Sequence, residues 1–171
     1  MNNPMRVLMI GLLAVSMVAC KKKVVEEAAP QTDPVRQVEP VQQADDGKYS
    51  AEDLNSDSCL RQRVVYFEFD QADIKPEAQA ILACHGKYLS DLPGSKMTLE
   101  GHADERGSRE YNIGLGERRG NAVSSALQAN GGSSAQITVN SYGEERPTCS
   151  ESDESCWSKN RRVEIVYTQA Q

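Results

Sequence analysis

The sequence predicts an α/β domain with the element order βαβαββ, preceded by an unfolded tether. Strand-like and helix-like apolar periods alternate along the C-terminal two thirds, and Pro, Gly or Asn closes most segments. The stretch before them has no sustained apolar period.

The first strand is Arg63 to Phe69, RVVYFEF, whose β-branched and aromatic residues put Val65, Phe67 and Phe69 on one face. Pro76 suits the first turn of a helix, and Ile81, Leu82, His85, Tyr88 and Leu89 follow at helical spacing until Pro93-Gly94. Lys96 to His102 is the second strand. The second helix runs from Ser108 to about Ala129 and ends at Asn130-Gly131-Gly132, with Leu115, Ala122, Val123, Ala126 and Leu127 as its inward stripe. Ile137 to Tyr142 and Arg161 to Tyr167 are the last two strands, separated by a polar loop with two cysteines. A right-handed crossover makes the first two strands parallel, so their carboxyl ends share one edge, where ligands sit in open α/β sheets. Asp70 ends the first strand and Asp104 follows the second, so both acids approach the start of the second helix.

Residues 1–19 hold one cation, Arg6, then an apolar run from Val7 to Val18 broken only by Gly11 and Ser16, then Ala19 before Cys20. This pattern is a secretory signal peptide, too short to favour a stable membrane span; a retained short anchor is the alternative. Residues 20–58 are rich in Pro, Gln, Glu and Asp and read as a flexible linker. Fully stretched, it would reach on the order of 120 Å at about 3.3 Å per residue. Lys21 to Lys23 either attract anionic headgroups or are simply solvated. The folded domain is expected over residues 59–171. A formal net charge of -6 and a pI of about 5.0 argue against nucleic acid as a partner.

Four cysteines follow Cys20, and an even count in an exported chain reads as disulfides, with three possible connectivities. The favoured pairs are Cys149 with Cys156, closing a small polar loop, and Cys59 with Cys84, tying the segment before the first strand to the first helix. Metal ligation by Cys84, His85 and His102 is the competing reading. Adjacent side chains leave a helix in different directions and no CxxC spacing occurs, so neither metal nor cofactor is expected.

One residue breaks the helical pattern. Arg119 lies on the apolar stripe, four residues from both Leu115 and Val123. A guanidinium keeps its charge in a protein, so on a core-facing position it needs an anion, and Asp104 is the nearest candidate. Asn112, Leu115 and Arg119 share one helical face. With Asp104 and Asp70 they supply a fork for a carboxylate, acids for an ammonium and an amide for either, a set that would clamp a zwitterion. The plainer alternative is a private Arg119–Asp104 pair that holds the loop to the helix. His102 reads as structural, because no nucleophile or second histidine is placed to work with it. Asp104 and Glu105 diverge as neighbours and make no glycosidase pair by themselves.

The runs YFEFD (Tyr66 to Asp70), EGHADERGSREYNIGLGERR, SYGEERP and NRRVEIVY resemble, in order, motifs of the OmpA-like domain of peptidoglycan-associated lipoproteins. The Met-Val-Ala-Cys end of the signal segment resembles a bacterial lipobox, with Met17 at the usual leucine position. The resemblance implies an α+β sandwich, a mixed four-stranded sheet packed on two main helices, that binds the peptidoglycan stem peptide noncovalently through meso-diaminopimelate. By motif position, Asp104 would receive the ligand's ammonium and Arg119 its carboxylate. Asn112 and Leu115 would shape the pocket, and Asp70, Phe69 and Gln71 would line it. Arg162 would contribute from the last motif, or else pair with a surface acid. Cys20 would be acylated; Lys21, where an aspartate would signal inner-membrane retention, implies an outer-membrane lipid anchor facing the periplasm. The resemblance also implies membership of the Tol system with a role in division, and TolB as a competing partner, with Glu105 to Glu110 as its contact.

The chain departs from that pattern at Gly114 and Gly120, each weakening a helix by about 1 kcal/mol relative to Ala. The cysteine pairs are also additions, and the Cys149 to Cys156 loop would alter one rim of the site. The implied protein is a binding module and not an enzyme. A peptidoglycan-acting hydrolase and a purely protein-binding structural lipoprotein are the alternatives, separable by a lytic assay and a wall pull-down.

Overall fold

A computed structural model describes residues 47–169. The signal segment, Cys20 and Lys21 to Lys23 lie outside the described residues, as does most of the expected linker. The elements are α1 (Asp53–Ser56), β1 (Val64–Tyr66), α2 (Pro76–Asp91), β2 (Lys96–His102), α3 (Arg109–Ala129), a 3-10 turn (Ser134–Gln136), β3 (Ile137–Gly143), α4 (Glu154–Asn160) and β4 (Arg162–Gln169).

The strands form one mixed sheet in the order β1-β4-β2-β3. β4 is antiparallel to both β1 and β2, and β3 is parallel to β2. β1 and β2 therefore point the same way, as the crossover requires, but β4 lies between them. Its first residues emerge among the carboxyl ends of the other three strands, which delivers Arg161 to the edge where Asp70 and Asp104 sit.

Alternation along β2 sends Met97 and Leu99 inward and leaves Lys96, Thr98 and Glu100 on the other face. They join Val65, Phe67, Val163 and Ile165 beneath Leu82 and Leu89 of α2 and Val123 and Leu127 of α3. Ser108 caps α3, its hydroxyl accepting from the Tyr111 N–H at 3.2 Å. The helix lies unusually close to the sheet. A Cβ on Gly120 would sit 2.5 Å from Val139 Cγ1, and Gly116 and Gly101 face each other backbone to backbone. Gly120 thus exchanges helix propensity for close packing. At Gly114 the nearest atom to a built Cβ is Arg118 Nη1 at 3.4 Å, so no close approach explains that glycine.

Both favoured disulfides are present, Cys59–Cys84 and Cys149–Cys156, so Cys84 has no thiolate to offer a metal. His85 is buried between two partners: its Nε2 lies 3.0 Å from the Gln62 carbonyl and its Nδ1 2.9 Å from the Tyr167 hydroxyl. Because a carbonyl only accepts, Nε2 carries the proton.

Three expectations need correction. The first strand stops at Tyr66; Val65 and Phe67 enter the core, but Phe69 is 53% exposed. The Phe67 N–H makes one last bond to the Arg161 carbonyl, and the chain then turns through Asp70 at φ 57°. The folded unit also begins before Cys59, since Leu54 of α1 packs with Leu60, Tyr88 and Tyr49 in a second apolar cluster. One helical turn with a single buried leucine carries no periodic signal. The same holds for α4, seven residues within the expected polar loop between the last two strands, which is helical instead.

Candidate functional site

The carboxyl edge of the sheet holds an open cleft of about 170 Å³, lined by Phe69, Asp70, Asp104, Arg106, Gly107, Tyr111, Asn112 and Leu115. The turn after β1 supplies one wall, the turn after β2 the floor, and the first two turns of α3 the other wall. Of the residues expected at the site, Asp104, Asp70, Phe69, Asn112 and Leu115 converge here. Gln71, Arg119 and Arg162 are not among the lining residues.

Asp104 is 4% exposed and heavily bonded. Its Oδ1 accepts from the Arg106 N–H at 3.1 Å and Arg106 Nε at 3.0 Å; its Oδ2 accepts from Arg106 Nη2 at 2.7 Å and Arg161 Nη1 at 3.3 Å. Burial alone would raise its pKa, but the bonds from Arg106 and Arg161 hold the carboxyl below the usual aspartate range. The same pairing raises the Arg106 guanidinium.

Arg119 is fully buried, as the stripe predicts, but its partners differ from the expectation. Nε donates to the Gln71 carbonyl at 2.8 Å, Nη1 to that of His102 at 2.8 Å and Nη2 to that of Glu68 at 3.0 Å. Neither the private Arg119–Asp104 ion pair nor a ligand-facing fork is formed. Asp104 acts on Arg119 only as a nearby charge, partly offsetting the burial that pushes the guanidinium down to about 10. Arg119 is a clasp, joining the turn after β1 to the end of β2 across α3. Gln71 serves it through its backbone carbonyl, not its side chain.

Tyr111 completes the clasp by donating its hydroxyl to Asp70 Oδ1. Asn112 is 1% exposed and donates to the Asp104 carbonyl at 3.1 Å and to Glu144 Oε2, tying the cleft floor to the end of β3. Arg162 is engaged elsewhere, with Glu164 Oε1 at 2.6 Å and the Arg146 carbonyl at 3.2 Å. Its neighbour Arg161 is the arginine that reaches Asp104, with Glu154 and the Phe67 carbonyl (3.1 Å) as its other partners.

Sequence reasoning missed Arg106, Tyr111, Arg161 and Trp157. The Arg106 guanidinium is stacked between two rings, 4.0 Å from the Phe69 centroid and 4.1 Å from that of Trp157. Trp157 sits on α4 and donates to Glu105 Oε1 at 3.1 Å. An Asp in a turn with Gly three residues on favours an Asx turn, in which its carboxylate accepts from the N–H of the residue two on, here Arg106.

A family model of the OmpA family matches residues 66–161. The peptidoglycan-associated lipoprotein of Pseudomonas putida is 49% identical over 113 residues, covering 66% of this chain and 68% of its own. That of Pasteurella multocida is 44% identical over 121 residues, covering 71% and 78%. The crystal structure of the peptidoglycan-associated lipoprotein from Burkholderia pseudomallei matches at a TM-score of 0.65 with 41% identity, covering 67% of this chain and 98% of that one. The C-terminal domain of Helicobacter pylori MotB shares the fold at a TM-score of 0.57 and 22% identity, covering 62% of this chain and 84% of that one. With an open mixed sheet, a cleft at its carboxyl edge and these relatives, the chain belongs to the OmpA family, in its peptidoglycan-associated lipoprotein branch.

Proposed function

We propose that the chain is an outer-membrane lipoprotein, acylated at Cys20 and facing the periplasm, that tethers the membrane to the cell wall by binding the meso-diaminopimelate side chain of peptidoglycan stem peptides. The observation that carries this reading is the cleft: a carboxylate held ionised by arginines, beside an exposed aromatic ring and a second acid, matches a small zwitterion better than a neutral or singly charged ligand. Asp104 is the partner of the ligand's ammonium. Asn112 and Leu115 shape the floor, Phe69 and Asp70 the wall, and Arg119 braces both and adds positive potential from behind. The reaction is binding without turnover.

Within the same reading the protein works in the Tol system, with TolB competing for the wall-binding face during envelope constriction. Glu105, Gly107, Ser108, Arg109 and Glu110 are exposed beside the cleft, which suits a contact surface. The test is calorimetric titration of the full chain with stem tripeptides ending in meso-diaminopimelate or lysine, alongside a pull-down on purified wall. Saturable binding of the diaminopimelate form, weaker binding of the lysine form and no lytic product are expected. Equal affinity for both peptides would overturn the assignment.

A further inference from the structure

Asp104 has little left to give a ligand as it stands. Two carboxylate oxygens offer about four acceptor positions, and four donors already use them, three of them from Arg106. An incoming ammonium must displace the Arg106 fork. Arg106 is also the cation a ligand can reach: its side chain is 30% exposed and lines the cleft, whereas Arg119 is 0% exposed and Arg161 4% exposed. The rings of Phe69 and Trp157 cover its faces and leave its edges to the carboxylates, so the fork can exchange one carboxylate for another within the slot without losing its stacking. Glu154, 3.7 Å from Nη2, flanks the slot, but its carboxylate is largely exposed and already bonded to Arg161.

We propose that Arg106 is the specificity-determining residue of the cleft: it occupies Asp104 in place of the ligand's ammonium and, once displaced, receives the ligand's carboxylate between Phe69 and Trp157. The exchange conserves charge, since each ion that loses a partner gains another. A ligand carrying ammonium and carboxylate on one carbon satisfies both halves. A simple amine breaks the Asp104–Arg106 pair and leaves Arg106 uncompensated. Trp157 is a positioning residue here, held by α4 and thus by the Cys149–Cys156 loop.

The proposal rests on the zwitterion reading above, and the test separates the two. Three stem tripeptides are titrated into the full chain: one ending in meso-diaminopimelate, one with its side-chain carboxylate amidated, and one ending in lysine. The native chain is expected to prefer the first by about tenfold or more, a modest fraction of what a desolvated charge pair can supply. In Arg106→Gln that preference collapses and the lysine peptide binds at least as well as to the native chain, because Asp104 is released; Arg106→Lys restores part of the preference. Full preference retained in a folded Arg106→Gln would overturn the exchange while leaving wall binding intact. No binding of any peptide by the native chain would overturn both. Should Arg106→Gln not fold, the Arg106 Nε–H resonance of the native chain decides: it shifts on saturation with the diaminopimelate peptide, and an unmoved signal at saturation overturns the exchange.

Discussion

Replacing Arg119 by methionine keeps most of the side-chain volume and removes the three bonds to the Glu68, Gln71 and His102 carbonyls. Hydrogen bonds from a charged donor contribute about 1.5–3 kcal/mol each, so losing three without replacement would cost roughly 5–9 kcal/mol. Two of the bonds, to Glu68 and Gln71, are only part-buried, and water can take over there; the bond to His102 is buried. The methionine also avoids burying a charge. The expected net loss of folding stability is therefore about 3–5 kcal/mol, a large share of an ordinary domain's 5–15 kcal/mol. Urea unfolding followed by the fluorescence of Trp157, the only tryptophan in the chain, reads it directly. Affinity of the folded fraction for the stem peptide also falls, because the turn that carries Phe69 and Asp70 is no longer clasped. Stability within about 1 kcal/mol of the native chain, together with lost peptide binding, would refute the clasp and make Arg119 a direct ligand contact.

The two helix glycines should respond with opposite signs: Gly120→Ala drives a methyl into Val139 and costs about 1–3 kcal/mol, while Gly114→Ala gains about 0.5–1 kcal/mol, both readable as shifts of the thermal midpoint. His102 is buried with neither ring nitrogen partnered among the described residues, stacked on Tyr142, and its pKa is pushed down to about 4, by burial first and then by Arg162 and Arg146, with Glu164 opposing. The unfolded chain protonates this histidine near 6.5 and the folded chain does not, so its stabilising contribution is complete above that pH and is lost as pH falls toward 4, by up to about 3 kcal/mol. His102→Leu should flatten that slope in urea titrations at pH 7, 5.5 and 4.5; a difference from the native chain that is constant with pH would reject the assignment.

Apolar periodicity reports which positions are buried, and there the sequence was a good guide. β2 spans the expected residues, α3 starts at Arg109, one residue after the predicted Ser108, and Arg119 is buried on the stripe where the spacing puts it. Periodicity does not report what satisfies a buried polar group. Arg119 was matched to Asp104 because side chains are the anions a sequence displays, whereas the acceptors in the fold are backbone carbonyls of Glu68, Gln71 and His102, which no residue type advertises. The insertion of β4 between β1 and β2 was hidden for a related reason, since chain order constrains strand direction far more than lateral position. That insertion brings Arg161 to Asp104, and the short helix before it brings Trp157 to Arg106. The charge balance of the cleft therefore depends on one arginine, Arg161, and one ring, Trp157, whose arrival is topological. Asp104 lines the cleft with its fork partner Arg106 two residues away in the same turn, and Arg119, on the helix stripe, holds the walls in place.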